Sequence, residues 1–220
     1  MQSTKVSTPA KMRAADIAYD AIENMIVTLQ LKPGAPIVES ELIDITGLGR
    51  TPLREALMRM SSNGLIVQLP RRGLIVKDIE AAEHVTLIET RRVIEKLIAS
   101  SAARRATPQL RESILASGAQ MVIAAHNGKL DEFMASDMAL DHVVHEACRN
   151  PSAVAAVTPL IIKCRRFWYA YQHEGDMHEA ARCHMLLAQG IADGNEEAAA
   201  KGADNLMDYL ESYTHKVING

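Results

Sequence analysis

Ahead of Glu80 the apolar residues change their spacing from that of a helix to that of a strand, and beyond it strand spacing never returns. Ile17, Ala21, Met25 and Leu29, with Ile22 and Ile26 beside them, recur at helical intervals and predict an amphipathic helix over Ala14 to Leu31, ended by Lys32-Pro33-Gly34. A short second helix is expected over Ser40 to Ile45 and a third over Thr51 to Ser62, with Thr46-Gly47-Leu48-Gly49 as the turn between them. Thr51 is a candidate N-cap of the third, Pro52 its first helical residue and Asn63-Gly64 its stop. Leu65 to Leu69 and Leu74 to Lys77 read as two strands joined by the four-residue loop Pro70-Arg71-Arg72-Gly73. That order of elements is a winged helix-turn-helix.

Downstream, helices are expected over Ala82 to Arg105, Pro108 to Asn127, Lys129 to Arg149, Ser152 to Tyr171, Asp176 to Asp193 and Glu196 to Ile218. Thr107-Pro108, Asn127-Gly128, Asn150-Pro151, Glu174-Gly175 and Asp193-Gly194-Asn195 punctuate them, and Pro159 is expected to kink or restart the fourth. The fold class that follows is mostly α: a winged helix-turn-helix over residues 1–79 and an all-helical bundle of about six helices over 80–220. Composition agrees, because aromatics make up only 4% and Ala, Leu, Ile and Met dominate, which disfavours an all-β chain. Met1 to Ala10 is polar without a signal-peptide core, and the longest uncharged stretch, Ser113 to Gly128, is too short to span a membrane. Cys148, Cys164 and Cys183 lack the number and spacing of a disulfide framework or a zinc site. A cytoplasmic protein is the expectation.

The net charge of −3 hides a local reversal. Between Arg50 and Lys77 six basic side chains face the single acidic Glu55. A confined positive field on an acidic chain suits phosphate contact, although a solvated charged face has the same composition. On the third helix Leu53, Ala56, Leu57 and Met60 share one face, leaving Arg50, Arg54 and Ser61 outside it. Arginine near a helix N-terminus is opposed by the helix dipole, so two there serve a groove better than they serve the helix.

The strings Lys32-Pro33-Gly34, Glu39-Ser40-Glu41-Leu42, Arg50-Thr51-Pro52-Leu53-Arg54-Glu55-Ala56-Leu57, Asn63-Gly64-Leu65 and Arg71-Arg72-Gly73 resemble the winged-helix domain of GntR-superfamily transcriptional regulators. The resemblance implies DNA contact by Arg50, Thr51, Pro52 and Arg54 on the recognition helix and by Arg72 and Gly73 on the wing. Gly49 departs from the family, which usually has Ser there, so a capping or phosphate bond is lost. Arg91-Arg92-Val93-Ile94-Glu95, the run from Gly128 to Pro151, and His184 through Asn195 resemble the FadR-like FCD type of effector domain. That likeness implies a helical bundle that binds a small molecule, usually a carboxylate, and forms homodimers on a palindromic operator.

Many FCD domains also hold a divalent metal with an Asp, a His one turn later and two further His. Here Asp137 matches the first, Asp141 stands where the first His is expected, His184 matches the second, and the last falls on Leu206. Three readings stay open: no tightly bound metal, with Asp137, Asp141 and His184 as polar pocket residues; a weak site for a hard ion such as Mg²⁺ or Mn²⁺; or a one-turn shift onto Asp141 and His145. Two buried carboxylates so close call for a positive partner, for which Arg91, Arg165 and Arg166 are candidates. Any of these could instead clamp an anionic effector, and Arg165-Arg166 could equally be a solvated turn. The effector-site set is therefore Arg91, Asp137, Asp141, Arg165 and His184. Of the aromatics, Phe167, Trp168, Tyr169 and Tyr171 fit either core or pocket.

The function expected is a sequence-specific regulator acting as a repressor, whose partners are duplex DNA, a small organic acid and a second copy of itself, with no membrane. No nucleophile-base pair, phosphate loop or open zinc set argues for an enzyme. A metal-dependent enzyme fused to a DNA-binding head and a ligand-free architectural dimer are the alternatives.

Overall fold

The computed structural model describes residues 12–173 and 176–219, so Met1 to Ala10 and the expected Glu174-Gly175 turn lie outside the described residues. The chain divides into two compact units, one ending at Asp78 and one beginning at Ile79.

The first unit holds α1 (Ala14–Val27), α2 (Glu39–Thr46), α3 (Arg50–Ser62) and the antiparallel hairpin β1 (Ile66–Leu69) and β2 (Gly73–Val76). Helix α1 stops at Val27, four residues short of the expected end, because Leu29 takes a left-handed backbone with φ of 59°. Its buried stripe is Ala15, Ala18, Tyr19, Ile22 and Ile26, while Ile17 is 44% exposed. The core face therefore runs through Ile22 and Ile26, extended by Tyr19 and two alanines, and the expected line of Ile17, Ala21, Met25 and Leu29 lies beside it, exposed or half-buried.

Helix α3 begins one residue before the expected start, which makes Gly49 its N-cap and moves Thr51 and Pro52 to the second and third helical positions. No side chain caps it. The wing turn is shorter than expected because Gly73 pairs with Leu69, leaving Pro70, Arg71 and Arg72 as the loop. Both Arg71 and Gly73 have positive φ, a conformation that glycine adopts freely and arginine does not. On its far side β2 is bridged by the segment entering α2: Gly34 donates to Val76, Ile37 donates to Leu74, and Val76 donates to Ala35.

The second unit contains α4 (Ala81–Arg105), α5 (Pro108–His126), α6 (Leu130–Cys148), α7 (Pro151–Tyr171), α8 (Asp176–Ala192) and α9 (Glu196–Asn219). Helix α4 packs against α6, α7, α8 and α9 and is the axis of the bundle. Thr107 and Asn150 cap α5 and α7 by accepting from the amides of Leu110 and Ala153, as their X-Pro contexts predict. Pro159 neither ends nor restarts α7, which runs unbroken from Pro151 to Tyr171. Small residues let α8 and α9 approach until backbones nearly touch: a Cβ on Gly190 would lie 2.6 Å from the Ala199 nitrogen, and one on Gly202 would lie 2.6 Å from the Leu187 Cα. Among the described residues no helix is long and apolar enough to cross a membrane.

Candidate functional site

In the first unit, burial of Leu53, Ala56, Leu57 and Met60 turns α3 so that Arg50, Thr51 and Arg54 are exposed and Pro52 is half-buried. The Arg54 side chain is 66% exposed, and its Nε donates to both Glu39 carboxylate oxygens at 2.9 and 3.1 Å. Glu39 escaped the sequence reading as a partner because it lies fifteen residues away, on α2. The bond holds the shaft of Arg54 at Nε.

Not every arginine of the basic segment belongs to that surface. Arg59 donates to Asp16 at 2.7 Å and lies 4.5 Å over the Tyr19 ring, so it ties α3 to α1. Arg71, Arg72 and Gly73 are exposed at the wing. The positive surface thus consists of Arg50 and Arg54 on the helix and Arg71 and Arg72 on the wing.

In the second unit Asp137 and Asp141 sit one turn apart on α6, Arg165 on α7 and His184 on α8, and the bundle brings all four together. Arg165 donates from Nε to the Asp137 carboxylate and from Nη2 to Asp141 Oδ2 at 2.6 Å. His184 Nε2 is 3.1 Å from Asp137 Oδ1, and its Nδ1 is 2.8 Å from the Ala180 carbonyl oxygen. Both ring nitrogens meet acceptors, so the geometry suits an imidazolium. Burial works against that charge, but the bond and charge of Asp137, with the Ala180 carbonyl and Asp141, together outweigh it and raise the His184 pKa. Burial likewise opposes the Asp137 carboxylate, yet Arg165 and then His184 hold it well below the usual carboxylate range.

Arg91 is also buried here, but it pairs with Glu95, one turn along α4, at 2.8 Å and does not reach the two aspartates. Burial opposes its charge, but the Glu95 carboxylate together with Cys164 and Asp141 outweighs it, so Arg91 remains a cation. Burial pushes the neighbouring Cys164 thiol up, which keeps it protonated. Arg166, only 5% exposed, is helical, so Arg165-Arg166 is not a solvated turn: α7 carries both into the bundle.

Arg91, Asp137, Arg165 and His184 floor a narrow pocket with a cavity volume of about 40 Å³. Phe133, Trp168 and Tyr209 form its apolar wall: Phe133 stacks on Trp168 at 5.1 Å, and the Trp168 Nε1 donates to the Tyr209 hydroxyl at 2.9 Å. Phe167 instead belongs to the core, stacked on His84 at 3.9 Å. A charged floor under an aromatic wall offers ion pairing beside apolar contact.

The same floor fits a divalent ion poorly. The Arg165 guanidinium lies against both carboxylates, His184 Nε2 is turned to Asp137, and Leu206 is buried without a donor atom. His145 lies two helical turns beyond Asp137 on α6, and with Arg165 seated between the carboxylates no group of three His, Cys, Asp or Glu side chains among the described residues could hold a metal ion.

Two family models match the chain: "Bacterial regulatory proteins, gntR family" over residues 14–76 and "FCD domain" over residues 86–209. The Nta operon transcriptional regulator of Aminobacter aminovorans is 34% identical over 181 residues, covering 80% of this chain and 82% of that one. The HTH-type transcriptional repressor RspR of Escherichia coli K12 is 31% identical over 123 residues, 54% of this chain and 52% of its own. Among solved structures, E. coli McbR/YncC superposes with a TM-score of 0.82 at 16% identity, over 94% of this chain and 100% of that one, which is a likeness of fold.

Proposed function

The chain belongs to the gntR family of bacterial regulatory proteins and carries an FCD domain, and from that premise we propose that it is a repressor whose hold on its operator is set by a small organic acid. The family and the relatives are transcriptional regulators, not enzymes. The observation that carries the reading is the two-faced α3, apolar residues buried beneath and Arg50 and Arg54 exposed above, with arginines on the adjoining wing. Arg54 and Arg50 address base edges in the major groove, Thr51 and the Pro52 turn lie against the backbone, and Arg72 with Gly73 meets flanking phosphates. A homodimer places two such helices on the halves of a palindrome. The RspR relative bears the name of repressor, which supports that sign of control.

In the helical unit the acid's carboxylate competes with Asp141 for Arg165, while Arg91, Asp137 and His184 complete the polar floor and the aromatic wall takes the apolar body. Ligand binding changes operator affinity by the difference in its affinity for the two states of the dimer.

Genomic footprinting with the purified protein, followed by gel-shift titration against a library of small acids, tests both parts. The expected result is a short palindromic footprint that one class of acid weakens. Failure to bind any duplex even in dilute buffer overturns the DNA reading. Operator binding that no acid alters, with no thermal shift, leaves a ligand-free dimer in its place.

A further inference from the structure

We propose that the Arg165 guanidinium is the resident cation of the helical unit's pocket, occupying the place where a divalent ion would join Asp137, Asp141 and His184, so that this pocket functions without metal. The three flanking side chains have the donor chemistry of a metal site: two carboxylates one helical turn apart on α6 and an imidazole from α8. The imidazole is even oriented as metal-ligating histidines are, with Nδ1 bonded to a backbone carbonyl and Nε2 turned inward.

What stands between them is a side chain from a fourth position. Arg165 spends Nε on Asp137 and Nη2 on Asp141, so one planar cation takes an oxygen from each carboxylate, as a bridging ion does. The guanidinium carries its charge at every accessible pH and cannot be chelated away. An ion entering this set would have to expel a guanidinium held by two carboxylates and largely screened from solvent. Arg91 offers no substitute, because Glu95 engages it. Unlike a metal with open coordination positions, the guanidinium presents only donors, so its natural guest is an oxyanion that displaces Asp141, the more exposed of its two partners.

The test uses the full chain and does not depend on DNA. Wild-type protein, Arg165→Ala and Arg165→Lys are incubated with Mn²⁺ or Zn²⁺, desalted, and read by elemental analysis and by melting with and without chelator. Wild type and Arg165→Lys are expected to retain well under one ion per chain and to melt at the same temperature with either treatment. Arg165→Ala is expected to retain about one ion per chain and to be stabilised by it, since binding to the folded state alone shifts the equilibrium. A stoichiometric ion in wild type, lost to chelator together with thermal stability, overturns the proposal. So does an Arg165→Ala chain that binds no ion, or one that folds neither with nor without it, because the ion must be able to replace the guanidinium.

Discussion

Arg54 is held at Nε by Glu39, and its two terminal nitrogens are the donors that can take guanine O6 and N7 together. Arg54→Ala should cost about 1–3 kcal/mol of operator binding and blur discrimination between sites. Glu39→Gln should act differently: it removes a negative charge facing the DNA and slackens the brace, so affinity for random duplex rises while the ratio of operator to random binding falls. Competition gel shifts with both duplexes read the two numbers, and an unchanged ratio removes Glu39 from the recognition apparatus. Two histidines of the helical unit make stability depend on pH in opposite senses. Burial and then the nearby Arg91 hold His84 down to about 4, whereas an unfolded histidine titrates near 6.5. As pH falls the unfolded chain takes up the proton first, so the contribution of His84 is complete above about pH 6.5 and is lost towards pH 4. His184 is raised, so its contribution is complete below about pH 6.5 and is lost as pH climbs through its folded value. In melts across pH, His84→Phe should flatten the acid limb, worth on the order of 3 kcal/mol, and His184→Gln should flatten the alkaline one.

At the level of elements, α8 and α9 are set by glycines. Gly202→Ala pushes a methyl into the Leu187 backbone, which cannot yield unless the helices part. Gly118→Ala meets the Met185 sulfur at 3.1 Å and the Ala188 methyl at 3.3 Å, where the flexible thioether can move aside. Unfolding free energies from denaturant titration should therefore drop by about 1–3 kcal/mol for Gly202→Ala and by clearly less for Gly118→Ala. At the start of α3, Gly49→Ser restores a capping hydroxyl, but Pro52 at the third position has no N–H to give, so only the Thr51 amide can use it. A gain of a few tenths of a kcal/mol in chemical denaturation is expected. Helix ends were legible where the chemistry is local, as at Thr107-Pro108 and Asn150-Pro151. They were not where the backbone decides, as at Leu29, whose left-handed turn has no side-chain signature, or at Gly49, whose capping role depends on one residue of phase.

Across the whole molecule, the charge of −3 conceals the positive face that matters for binding DNA. Operator affinity should fall steeply between dilute and physiological salt, with a log-log slope close to the number of phosphates neutralised, and Arg72→Ala should lower that slope by about one. A slope near zero would mean that the arginines do not meet phosphates. The recognition surface was readable in one stretch of sequence, because Arg50, Arg54 and the arginines of the wing are neighbours along the chain. The pocket was only half readable. Asp137 and Asp141 announce each other by a four-residue spacing, but that Arg165 rather than Arg91 answers them depends on how α7 and α4 pack, with Glu95 engaging Arg91 instead. The hairpin carries a last consequence. Because residues 34–37 are stitched to the outer edge of β2, its far flank is already sealed against a foreign strand, and the tip alone is left to breathe. Deuterium should thus reach the amide of Arg71 long before those of Gly34, Ile37 and Val76, giving the wing a compliant fingertip on a rigid knuckle.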